Sequence, residues 1–181
     1  MTSSVRPARH RDGVPVYEYS TAAHTEPVAV VRLSSPDTLF EKRRHIHDFP
    51  LLTYLSDSGS VYVVAAGEPI EPVLVQGRLD AVAVFFDPAA LGDGTRSPLP
   101  TWRSHPLLFP FLHGGTGGLL HLQVPPDRKM FWVNVIDAVE AELSTRREGY
   151  RQAALAHLTL LLIDLARMTD DVATDLRRSG E

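Results

Sequence analysis

Proline stops abruptly in this chain. All 14 prolines of the 181 residues lie at or before Pro126, and only Gly149 and Gly180 supply glycine after that point. Proline removes a backbone donor and clashes with the preceding turn, so the proline-dotted part is confined to strands and loops while the remainder is free to form long helices. From residue 14 to about 124, short apolar runs are broken by Gly, Pro, Ser and Asp. Strands first and helices afterwards predict segregated α+β architecture, not alternating βαβ units.

The predicted strands are 28–33, 51–55, 61–65, 73–75, 81–86 and 119–124, rich in Val, Tyr and Phe as a pleated, partly buried surface prefers. Ser56-Asp57-Ser58-Gly59 reads as a hairpin turn, and Gln76-Gly77-Arg78 as another. Short strands linked this tightly suggest an antiparallel sandwich or small barrel. Residues 92–118 are rich in Pro and Gly and are expected to be irregular, apart from one short helical turn at 107–112.

In the proline-free part, Asp127 is positioned to cap a helix ending near Arg147, with Trp132, Ile136, Val139 and Leu143 in one apolar stripe. Arg146 and Arg147 suit its carbonyl end, and Gly149 is the expected left-handed terminator. A second helix is predicted over 150–168, where 12 of 19 residues are Ala, Leu, Ile or Met. Leu155, Leu158, Leu162 and Leu165 form its seam, and Leu160, Leu161 and Ile163 widen that seam past one stripe. Such a helix needs partners on two sides. One reading supplies the preceding helix and a second copy of the chain; the other sandwiches it between its own hairpin partner and the sheet. The polar segment after Thr169 reads as a linker or tail.

Several function classes fall away on composition. Cysteine is absent, which excludes disulfides, thiolate metal sites and cysteine nucleophiles. A formal net charge of −4 gives no chain-wide footprint for nucleic acid, and 44% hydrophobic with 22% charged residues fits a globular protein. The polar start, MTSSVRPARHRDG, has no apolar signal core, so the expected compartment is the cytoplasm, without a membrane span. Gly114-Gly115-Thr116-Gly117-Gly118 lacks the Lys-Ser/Thr of a phosphate loop and reads as a connection.

Chemistry concentrates at Arg44-His45-Ile46-His47-Asp48-Phe49. In extended chain, residues i and i+2 point the same way, so His45 and His47 project together. Neutral imidazoles are metal ligands, but a complete site needs a third and usually a fourth donor. The Glu that follows a cupin His-x-His by four residues is replaced here by Leu51; His113 and His121 are the distant candidates for a third ligand.

The same segment, followed by residues 51–55 and the 56–59 turn, resembles the start of the sensing domain of AraC-type transcription regulators. The run AVAVFFDPAAL at 81–91 is similar to that family's return strand, and Glu142-Leu143, Gly149-Tyr150, the leucine-rich helix and Ala166-Arg167 match in order. The resemblance covers about residues 14–167. It implies a cupin-like antiparallel β-barrel (jelly roll) followed by a C-terminal antiparallel helix pair. Residues 1–20 would be an arm, 21–125 the effector-binding barrel, 126–169 a helical dimerisation hairpin and 170–181 a linker or tail.

By that resemblance the chain is a non-catalytic module that binds a small-molecule effector and forms a homodimer. It would reach DNA only through a helix-turn-helix module absent from these 181 residues. The expected effector pocket is lined by Tyr17, His45, His47, Tyr54, Tyr62 and Phe85; the expected dimer contact uses Leu155, Leu158, Leu162 and Leu165. Arg32 and Arg78 are candidates to clamp an effector carboxylate. No cofactor is expected. The alternative is a stand-alone metal-dependent cupin enzyme using His45 and His47.

Overall fold

A computed structural model describes residues 5–20, 25–33, 44–70, 81–92, 100–112 and 118–179. Its first element is a hairpin that the sequence reading placed in an arm: β1 (Val5–Arg11) and β2 (Val14–Tyr19), antiparallel. Asp12 and Gly13 turn it at φ 51° and 80°, the paired left-handed geometry that Asp-Gly tolerates and that matches strand twist. β2 pairs in parallel with β4 (His45–His47), which pairs antiparallel with β7 (Pro69–Ile70), giving a four-stranded sheet of order β1-β2-β4-β7.

The second sheet has the order β3-β8-β5-β6-β9, built from β3 (Val28–Leu33), β5 (Leu51–Leu55), β6 (Ser60–Val64), β8 (Ala81–Phe86) and β9 (Leu119–Gln123), all antiparallel. The 56–59 turn joins β5 to β6 as predicted. The expected strand 73–75 and the turn at 76–78 lie outside the described residues.

Strand parity places this sheet in the middle of three layers. Leu51, Val64, Ala83 and Phe85 face the first sheet, where Tyr17, Tyr19, Phe49 and Ile70 meet them. Leu52, Tyr54, Val61, Val63, Val82, Val84 and Phe86 face the helices. Every residue of β5 and β8 is buried because both faces of the sheet are covered. The antiparallel α+β prediction holds at this level, with one correction: β2 and β4 run parallel. Among the described residues the two sheets stay open rather than closing into one barrel.

The helical layer begins inside the stretch expected to be irregular, with α1 (Pro100–Ser104), and continues with a 3₁₀ turn at Phe109–Leu112, within the helical turn expected at 107–112. Trp102, Leu108 and Phe111 are fully buried there, so large apolar groups order residues 100–112 despite their prolines. α2 (Lys129–Thr145) follows a 3₁₀ turn at Pro126–Arg128, so Asp127 sits inside that turn instead of capping the helix. Its terminator is Arg146, at φ 51°, whose N–H donates to the Glu142 carbonyl at 3.0 Å. Gly149, at φ 80°, serves the start of α3 (Tyr150–Ser179) instead. α3 outruns the predicted end near Met168, so most of the expected tail is helical.

The leucine seam is spent inside one protomer, which corrects its assignment to a dimer contact. Leu158, Leu161, Leu162 and Leu165 are 0% exposed, packed with Trp132, Ile136 and Val139 of α2 and with the sheet's inner face; Leu155 is partly buried against the same cluster. Both partners that a two-sided apolar helix requires are its own α2 and its own sheet. Asp164 lies in this layer, accepting Trp132 Nε1 at 2.7 Å and Arg128 at 2.5 Å. Among the described residues no helix is long and apolar enough to cross a membrane.

Candidate functional site

Between the two sheets, six rings form one connected group. β4 is extended, so His45 and His47 do project together, with ring centroids 4.7 Å apart. Register puts Tyr17 of β2 beside His47, and its ring lies 5.6 Å from His45 and 6.1 Å from His47. His47 meets Phe49 edge-on at 5.0 Å, and Phe49 leads to Phe85 of β8 at 5.8 Å. Tyr19 closes the group against Phe49 at 6.0 Å and Phe85 at 6.2 Å. Offset and edge-to-face contacts at these distances add to the burial that each ring already contributes.

The ring group, called the chamber below, is buried. His45 is 1% exposed and His47 0%. Burial first, and the neighbouring His45 second, holds the His47 imidazole well below its ordinary range, so it is neutral at pH 7. Neutral imidazole is both donor and acceptor, which gives an otherwise aromatic chamber a polar recognition element.

The β1–β2 hairpin is fastened over this group by charge. Arg9 pairs with Glu18 at 2.9 Å and with Asp48, while Arg11 donates to the Gly67 carbonyl at 2.7 Å and stands 4.0 Å from Asp48. Asp48 N–H donates to the Tyr17 carbonyl at 2.9 Å, and Gly67 N–H to the His47 carbonyl at 2.8 Å. Partial burial raises the Asp48 carboxyl, with Arg9 and Arg11 opposing that rise.

Of the six expected pocket residues, Tyr17, His45, His47 and Phe85 come together here. Tyr54 does not: its parity is that of Leu52, so it points into the helical layer with its ring 5.4 Å from Trp132. Its hydroxyl is buried without a hydrogen bond among the described residues, and burial raises its pKa. Tyr62 stacks on His121 at 4.8 Å, in the β6–β9 register at the sheet edge and two strands from Phe85. Tyr19 and Phe49 belong to the group although neither was expected in it; Phe49 was legible as the next i+2 position after His47.

Arg32 is committed to α2, bound to Asp137 at 2.6 Å and to Glu140 at 2.7 Å, which removes it as an effector clamp. Arg78 lies outside the described residues. For a metal, the described residues supply the His45–His47 pair and no group of three or more potential ligands. His121, one candidate third ligand, is at the sheet edge against Tyr62, and His113 is outside the described residues. Compared with known proteins, the chain matches no family model and no curated protein.

Proposed function

We propose that this chain is a non-catalytic sensing module of the AraC-regulator kind, which binds a small molecule between its two sheets. The reading rests most on the buried ring group: two imidazoles side by side, framed by Tyr17, Tyr19, Phe49 and Phe85 and covered by a separately fastened hairpin. Burying an imidazole costs more than burying an apolar side chain of similar size unless its nitrogens are hydrogen-bonded, so filling space alone does not favour two adjacent histidines. A recognition site gains hydrogen-bonding direction in apolar surroundings.

The mechanism is a population shift. A ligand seated among the rings favours one placement of β2 and its hairpin over another, and it can bias that equilibrium only by its differential affinity for the two. Subunit pairing belongs to the same reading. It would use the outer face of α3, where Leu160 is 49% exposed and Ala156 is also exposed, since the inner seam is already covered. Contact with DNA would be made through an attached helix-turn-helix module.

The test is a thermal-shift screen of small aromatic and polyhydroxylated compounds against the wild type and His47→Phe. A ligand at 100 times its Kd adds about 2.7 kcal/mol, roughly a 5–10 °C rise for a domain of this size. A compound that stabilises the wild type but not the variant supports the proposal. Equal shifts in both proteins, or none across the panel, count against it.

A further inference from the structure

Glu26, two residues before β3, is held from two directions. Its carbonyl accepts the Tyr19 hydroxyl at 2.6 Å, and the Tyr19 ring is part of the chamber. Its carboxylate, with 16% of the side chain exposed, accepts the Tyr150 hydroxyl at 3.0 and 3.2 Å. Arg146 and Arg151 each approach that carboxylate to 3.2 Å. Arg146 is the residue that terminates α2, and Tyr150 is the first residue of α3. One residue thus bridges the ring chamber and the turn between the two long helices.

The bridge is stiff. Glu26 precedes Pro27, which confines its backbone to extended conformations, and the Pro27 carbonyl is bonded to the sheet by Asp87 N–H at 2.9 Å. Three rotatable bonds join the carboxylate to that backbone, and its contacts with Tyr150, Arg146 and Arg151 restrict them. We propose that Glu26 couples the chamber to the helix hairpin, so that loosening Tyr19 loosens the seating of α3, and the reverse. The purpose of this coupling rests on the sensing proposal above, but its existence does not. With 30 residues, α3 is about 45 Å long, and a tilt of roughly 3° at Tyr150 moves its far end by about 2 Å. A small event among the rings is thereby enlarged at the far end of a rigid rod.

Hydrogen exchange on the full chain without ligand tests this. Tyr19→Phe keeps the ring and removes only the hydroxyl bonded to Glu26; Tyr150→Phe does the same on the other side. Tyr19→Phe is expected to speed exchange of the α2–α3 turn amides about fivefold, the Boltzmann factor of one net hydrogen bond. Tyr150→Phe is expected to speed exchange in β2 by a similar factor, because coupling between two sites is reciprocal. Glu26→Gln, which keeps an acceptor for Tyr150 but loses the charge facing both arginines, should speed exchange at the turn in the same way. If each Tyr→Phe change is felt only on its own side, the coupling is refuted, whatever the ligand screen shows. If both cross over and no ligand is found, the coupling stands and the sensing proposal fails.

Discussion

Lowering the pH should destabilise this protein through His47 in particular. The imidazole is 0% exposed, and its folded-state pKa lies well below the ordinary 6.5 because burial and His45 both oppose its charge. The unfolded chain therefore binds a proton below pH 6.5 that the folded chain refuses. Stability from this group is complete above the unfolded value and is lost as pH falls from there toward the folded value. While the folded imidazole stays neutral, the loss is about 1.4 kcal/mol per pH unit, or roughly 2 kcal/mol at pH 5. Asp48 works in the opposite sense, since its folded carboxyl is raised above 3.8, and it does so in wild type and variant alike. The assay is urea unfolding at pH 7 and pH 5 for wild type and His47→Phe. With a urea slope near 2 kcal/mol per M, the wild-type midpoint should fall by about 1 M more than the variant's. Groups that titrate alike in both proteins drop out of that difference. Equal pH dependence in the two proteins would refute the buried, neutral His47 on which the chamber chemistry depends.

Other outcomes follow from the packing. Leu162→Ala should cost about 3 kcal/mol in chemical denaturation, a cavity in a sealed core, while Leu160→Ala on the half-exposed face should cost less than about 0.5 kcal/mol. Comparable losses would mean that the seam is not internal. Asp164→Ala strands the Trp132 N–H and should destabilise by about 3 kcal/mol, whereas Asp164→Asn, which keeps an acceptor, should cost about 1 kcal/mol by the same denaturation assay. Gly118, at φ 77°, has the Ile70 side chain 3.0 Å from where a Cβ would stand and the Pro69 carbonyl at 3.1 Å. Gly118→Ala should therefore lower stability by about 2 kcal/mol, measured as a drop in Tm.

What the sequence made legible divides along physical lines. β3, β5 and β8 are apolar runs cut off by turn residues, and their limits could be read directly. β1 could not: Pro7 to Arg11 are exposed on both faces, so no alternation marks the strand, and only pairing to β2 makes it one. β4 and β7 are too short to carry a period, and their partners are distant in sequence. The chamber was half legible. His45 and His47 follow from i+2 spacing, and Tyr17 and Phe85 were suspected as aromatics. Tyr54 was misplaced because Leu51, Leu52, Tyr54 and Leu55 are apolar at both parities, which hides which face is which. Glu26 carries no sequence signal at all, since the partners of its carboxylate are more than a hundred residues away. The breadth of the leucine seam correctly demanded two partners, but composition does not say whether the second comes from the same molecule. Nothing in the 170–181 pattern signals helix, yet α3 continues to Ser179.

The most direct test of ligand binding between the sheets is a side-chain NMR titration with a compound that stabilises the wild type. Ring resonances of Tyr17, His45, His47, Phe49 and Phe85 should shift together and saturate with the thermal-shift affinity, while Tyr62 and His121 stay in place. Shifts confined to the sheet edge or the outer face of α3, with the five chamber rings unmoved, would contradict it.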